Sequence, residues 1–271
     1  MPDIWTHYFF ARQVMYEQQL TIDHLDWYYF GAQGPDFLFY QGFQPWKKQA
    51  KPGTEVAKEL HQVRTDKLLR FVLACRKEAT GELKDYLTGF LSHYALDATV
   101  HPMIHRDATD GKDHKQLEMA LDMKLYHERR GRPITEASVP RVMARKRRLP
   151  KPIVDFYIDL TSEVFEHPAE GELFEQSYED FRKFHKYTSL KSTMKKGMIE
   201  TTLKKTGLDY THYFYGEETS QRPIPQQQYD EFIDRFLQAR DVFRVLNRSE
   251  LPEEVVNFSG YSLETSGILE D

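Results

Sequence analysis

Between residues 81 and 118 the chain reads GELKDYLTGFLSHYALDATVHPMIHRDATDGKDHKQLE, and metal-ligating side chains recur in it every four residues. His93, Asp97 and His101 form one run; His114 and Glu118 form a second. At 3.6 residues per turn a four-residue step turns through only ~40°, so each run lies along one helical face. Imidazole nitrogen and carboxylate oxygen together suit zinc. Phe90, Leu91, Tyr94, Leu96 and Val100 surround the first run, which makes it a semi-buried polar seam that something must satisfy. A lone helical histidine is commonly solvated or packed in a core; five ligands at two matching spacings point to an ion.

With 271 residues the chain fits one large domain or two small ones and can bury a substantial core. Lys plus Arg number 37 against 42 Asp plus Glu, a formal net charge of -5. Binding to a nucleic-acid backbone leaves a basic excess, so no nucleic-acid polymer is expected as partner; nucleotides stay open as substrates, because a metal supplies positive charge locally. The single cysteine, Cys75, lies in the apolar run LLRFVLACRK, which excludes an internal disulfide and gives it a packing role. The start, MPDIWTHYFFARQVM, has no basic leader, long apolar run or small-residue cleavage site. No stretch approaches ~20 apolar residues. The expected location is therefore cytoplasmic, and the oligomeric state is left open.

Along the chain, Ile4, Trp5, Tyr8, Ala11, Val14 and Met15 predict an amphipathic helix over 3–19 with His7 on its seam. The aromatic-dense IDHLDWYYFGAQGPDFLFYQGF follows, its rings read mostly as core. Asp36, directly after Gly-Pro and before Phe-Leu-Phe, is a carboxylate that must be paired, hydrogen-bonded or metal-bound if buried. QPWKKQAKPGT reads as a connector, and Thr54 as the cap of one long helix, EVAKELHQVRTDKLLRFVLACRKEAT, with His61 beside its apolar face. Packed as an antiparallel hairpin with the ladder helix, it would bring His61 near His93. The ladder helix is expected to end near His101, since Pro102 disfavours helical geometry at the residue before it. His105 and Asp107 read as mostly exposed neighbours of the site.

Asp110, Gly111 and Asp113 are turn and cap chemistry for the helix carrying His114 and Glu118, which runs to ERRGRP. The basic block RVMARKRRLPK reads as a solvated face. Further helices are predicted over 153–166, 174–188, 190–206 and 226–247, with a loose tail from Leu251. No useful β alternation, phosphate loop, CxxC or nucleophile elbow occurs, so the fold class is all-α.

The candidate ligands are His7, Asp36, His61, His93, Asp97, His101, His114 and Glu118, more than one tetrahedral ion can use. Their ordered context, THxxxA with His7, GxxGPD with Asp36, ELH with His61, HxxxDxxxHP with His93, Asp97 and His101, and HxxxE with His114 and Glu118, resembles the zinc-dependent phospholipase C family, related to the S1/P1 nucleases. The GAQGPDF segment resembles that family's intracellular bacterial branch.

The resemblance implies a multi-helix, phospholipase C/P1 nuclease-like domain over residues 1–130, with residues 131–271 as a C-terminal helical extension packed on it as one unit. It implies two or three zinc ions: one held by Asp36, His61, His93 and Asp97, another by His101, His114 and Glu118, a third by His7 and Asp97, with Asp97 as bridge. His101 rather than His105 is read as completing its site. In the secreted members a processed N-terminal residue completes the third site, and the amine of Pro2 would do so here if Met1 is removed. The expected activity is hydrolysis of a phospholipid or small phosphodiester by zinc-activated water, with Asp36 as general base. The rival from another class is a zinc-stabilised helical binding module without turnover.

Overall fold

The structure, a computed structural model, describes residues 4–43, 51–62, 65–137, 146–165, 168–188, 222–253 and 255–258. It is all-α. The elements are α1 (Ile4–Glu17), α2 (Leu25–Gly31), a 3-10 helix (Gly34–Tyr40), α3 (Pro52–Gln62), α4 (Thr65–Glu78), α5 (Gly81–Asp107), α6 (Gly111–Arg130), a short 3-10 turn (Ile134–Glu136), α7 (Lys151–Phe165), α8 (Gly171–Thr188) and α9 (Gln226–Asn247). Among the described residues no strand occurs, and no helix is long and apolar enough to cross a membrane. The expected Pro2 amine, the helix over 190–206, most of the connector after Phe43 and the first part of the basic block lie outside the described residues.

Nearly every residue of α5 from Asp85 to Ile104 is buried, and a helix covered on all sides becomes the axis that others surround. Helices α1, α2, α4, α6, α7 and α9 pack on it, while α3 and α8 pack on the 3-10 helix. The α2–α5 contact is backbone against backbone. A Cβ at Gly31 would sit 2.0 Å from the Tyr86 carbonyl oxygen, and one at Gly89 2.0 Å from that of Tyr28. Trp27, Tyr28, Phe30 and Phe37 fill the core beside this contact, as their density in the sequence suggested.

Helix α3 begins at Pro52, so Thr54 lies in its first turn rather than capping it, and two larger differences from the sequence expectation bear on the site. The single helix expected after Thr54 is α3 and α4, ending at Gln62 and restarting at Thr65. Each half buries apolar residues against a different partner: α3 (Ala57, Leu60) faces the 3-10 helix and α8, whereas α4 (Leu68, Leu69, Val72) faces α5 and α7. The hairpin partner of α5 is thus α4, and His61 arrives on α3.

The second difference is that α5 does not stop at His101 but runs through Pro102 to Asp107. Met103 and Ile104 are fully buried, and their burial outweighs the hydrogen bond that Pro102 cannot donate to the Ala98 carbonyl. Arg235 of α9 donates to the neighbouring Thr99 carbonyl at 3.2 Å, supplying a donor where the helical ladder is weakened. The start of α6 follows the sequence signal. Asp110 accepts the Asp113 N–H at 2.8 Å, and Asp113 accepts the Thr109 N–H at 2.9 Å.

Candidate metal centre

Three segments converge on one side of α5. His93 and Asp97 are fully buried there, His7 of α1 stacks on His93 with ring centroids 4.5 Å apart, and Asp36 and His61 close the group. His7 Nε2 lies 3.3 Å from Asp97 Oδ1, His93 Nε2 3.3 Å from Asp97 Oδ2, and His61 Nε2 3.3 Å from Asp36 Oδ1. His93 Nε2 is also 3.6 Å from Asp36 Oδ1. Hydrogen bonds between such groups run shorter, at about 2.7–2.9 Å. For a tetrahedral zinc with ligands at about 2.0–2.1 Å, adjacent ligand atoms are roughly 3.3–3.4 Å apart.

Both oxygens of Asp97, Asp36 Oδ1 and both nitrogens of His93 are buried without a hydrogen-bond partner. Leaving so many polar atoms unsatisfied is costly, and a cation among them satisfies them together. The donor set therefore fits zinc.

A second group lies further along α5. His101, His114 and Glu118 bring their ligand atoms within 4.8 Å of one another. His114 Nε2 is 2.8 Å from Glu118 Oε1, and His101 Nε2 is 3.7 Å from the same oxygen. This group is more open: the His114 side chain is 20 % exposed, and Lys115 Nζ stands 3.5 Å from Glu118 Oε2. The His105 ring lies 4.9 Å from that of His114, at the edge of the group rather than in it.

Backbone groups orient two of the imidazoles. His61 Nδ1–H donates to the Ala57 carbonyl at 2.6 Å, and His101 Nδ1–H donates to the Phe258 carbonyl at 2.6 Å. A carbonyl only accepts, so each Nδ1 carries the proton and each Nε2 keeps its lone pair for an ion. Gly34 positions Asp36. It sits at φ +52°, and a Cβ there would fall 2.1 Å from His93 Cδ2, so only glycine lets the 3-10 helix rest on that ring. Asp122 of α6 accepts the Trp5 and Thr6 N–H groups and the Thr6 hydroxyl, fixing the start of α1 and with it His7.

Burial dominates the electrostatics. It pushes His93 down to about 4 and His114 to about 3, and holds His101 well below the usual histidine range, so all three are neutral at pH 7. Burial also pushes the Asp97 carboxyl up to about 6, still largely ionised at neutral pH. At Asp36 burial is outweighed by the imidazoles beside it, and the carboxyl is held below its ordinary range. His61 is the exception among the histidines, raised despite burial because it pairs with Asp36. A buried seam with ionised carboxylates and mostly neutral imidazoles attracts a cation.

The family model described as zinc dependent phospholipase C matches residues 6–167. The chain belongs to the zinc-dependent phospholipase C family. No curated protein and no solved structure matched the chain. The family match continues past residue 130 to the end of α7.

All eight sequence candidates fall within the potential donor groups of this family member. Three supporting residues were not singled out from sequence. Asp122 continues the four-residue series His114, Glu118, Asp122, a signal the spacing contained. Lys115 and Phe258 had no local signal. The tail expected to be loose is, over 255–258, packed on the candidate centre, because Phe258 is fully buried against His93.

Proposed function

We propose that the protein is a zinc-dependent phosphodiester hydrolase, phospholipase C-like, acting on a phospholipid or a small phosphodiester. The observation that carries this reading is the spacing of the deep cluster: repeated 3.3 Å nitrogen–oxygen separations among buried side chains, with both oxygens of Asp97 and both nitrogens of His93 left without a hydrogen-bond partner. In this reading Asp36, His61 and His93 hold one ion, His101, His114 and Glu118 a second, and His7 and Asp97 a third. Asp97 serves two ions; supporting this, its Oδ1 faces His7 and its Oδ2 faces His93. His93 belongs to both buried groups, so these two sites are adjacent.

When bound, zinc supplies Lewis-acid polarisation of a phosphoryl oxygen and acidifies a coordinated water. The chain's own residues do the rest. Asp36, ionised and slightly exposed at the edge of the cluster, takes a proton as general base. His61 and His101, fixed by backbone carbonyls, keep their Nε2 lone pairs aimed inward. Lys115 beside the open group adds positive charge that attracts a phosphate. Of the aromatics following Asp36, Phe37 is core, whereas Phe39 is partly exposed and lies tilted against His61 with ring centroids 5.4 Å apart, a surface for a substrate's apolar group. Residues 1–130 are read as the metal-binding core, residues 131–271 as helices packed on it as one unit, and the location as cytoplasmic.

Zinc content of the purified chain, with bis-p-nitrophenyl phosphate hydrolysis measured before and after chelation, tests the reading. Stoichiometric zinc and turnover that is lost on chelation and regained with zinc are expected. Stoichiometric zinc without chelator-sensitive turnover would instead identify a binding module, and no zinc would overturn both.

A further inference from the structure

The family match ends at residue 167, yet one wall of the metal centre comes from the far end of the chain. The Phe258 ring is 5.1 Å from that of His61 and 5.6 Å from that of His93, and it also packs on Tyr94 at 5.3 Å and Phe90 at 6.1 Å. Its carbonyl accepts the His101 Nδ1–H. Two residues earlier the Val256 carbonyl accepts the Tyr94 hydroxyl at 2.8 Å. The segment 255–258 thus straps across about three turns of α5. One residue touches both clusters, by its ring and by its carbonyl.

We propose that Phe258 is a positioning and specificity-determining residue of the metal centre: its carbonyl fixes the His101 tautomer for the open group, and its ring closes the buried group on the His61 side. This rests on the metal-centre reading above. Besides the core rings Phe90 and Tyr94, this ring covers two imidazoles whose Nε2 atoms face Asp36. Such a cover keeps water off the ligands and bars bulky groups from that side, leaving approach by way of Asp36 and the exposed edge of His114. The carbonyl does what outer partners of metal-bound histidines do, holding tautomer and ring orientation at a value of about 10–100-fold in metal affinity. The Tyr94 hydroxyl anchors the strap so that the carbonyl stays in reach.

The test uses the full chain as wild type, F258A, F258L and Y94F, with folding followed by circular dichroism. Zinc affinities are measured by competition with a chromophoric chelator, and the His101 tautomer by 15N NMR. The kcat/KM ratio is measured for bis-p-nitrophenyl phosphate against the smaller methyl p-nitrophenyl phosphate. In F258A one zinc should bind about 10–100-fold more weakly, His101 should lose its fixed Nδ1–H form, and the ratio should shift toward the larger diester. F258L should restore most of the zinc affinity, and Y94F should weaken the same zinc without changing the ratio. Wild-type zinc affinities, tautomer and ratio in a folded F258A would overturn the proposal; if F258A does not fold, unchanged zinc affinity in Y94F together with an unchanged ratio in F258L would do so. Absence of zinc from the wild type would instead defeat the underlying metal-centre reading.

Discussion

The two donor groups share α5 and differ in almost everything else. The buried group draws on α1, the 3-10 helix, α3 and α5, so its members are separated by up to 90 residues, and His93 and Asp97 have no exposure. The open group comes from α5 and the next helix, with His114 partly exposed and a lysine beside Glu118. The first is held by long-range packing at glycine contacts and by a helix cap on α6; the second is held mainly by helical spacing and one distant carbonyl. A site assembled from distant segments depends on the whole fold, whereas one built on neighbouring helices depends on local geometry.

Several measurements can break or sharpen that contrast. Asp97→Asn should have the largest effect, removing zinc from the buried group and lowering phosphodiesterase activity by more than ~100-fold, since a ligand is lost rather than an outer partner. An unchanged zinc count by plasma mass spectrometry would defeat the bridging role. Gly34→Ala places a methyl against His93 at positive φ and should destabilise the fold by about 2 kcal/mol or more in urea titration. Zinc at the open group should survive this change; equal loss at both would show that the two groups are not separately supported.

Asp122→Ala removes the acceptor of two backbone N–H groups at the start of α1 and should cost about 1–2 kcal/mol. It should weaken only the zinc that His7 holds, read by chelator competition. Acid should separate the groups as well. Asp97, raised to about 6, must shed its proton to bind an ion, so affinity at the buried group should begin to fall as pH drops through about 6. His114, pushed down to about 3, competes little with protons in that range, so the open group should hold zinc to lower pH. Simultaneous release of all zinc in a pH titration would contradict this. The smallest effect is expected from His105→Ala, which stands beside the open group and should leave the zinc count unchanged.

The open group was the more legible in the sequence, because a four-residue step on a helix places side chains together wherever that helix goes. Asp122 could have been found by the same step. Of the buried group, His93 and Asp97 were legible in the same way, whereas His7, Asp36 and His61 could be joined to them only as an ordered set of motifs. His61 was expected through a hairpin with α5, but it arrives on a separate helix resting on the 3-10 helix. Pro102 suggested a helix end, and the burial of Met103 and Ile104 overrode that local preference.

By itself, the sequence determined the all-α class, the eight candidate donors and the two four-residue ladders that carry five of them, since periodicity and residue chemistry are local properties. Tertiary structure alone decided which atoms face one another at 3.3 Å, that Gly34 rests on His93, and that the Phe258 carbonyl reaches His101 across a separation of 157 residues. Those distances arise from packing of segments far apart in the chain, where each position depends on all the elements between, and no short-range pattern encodes them.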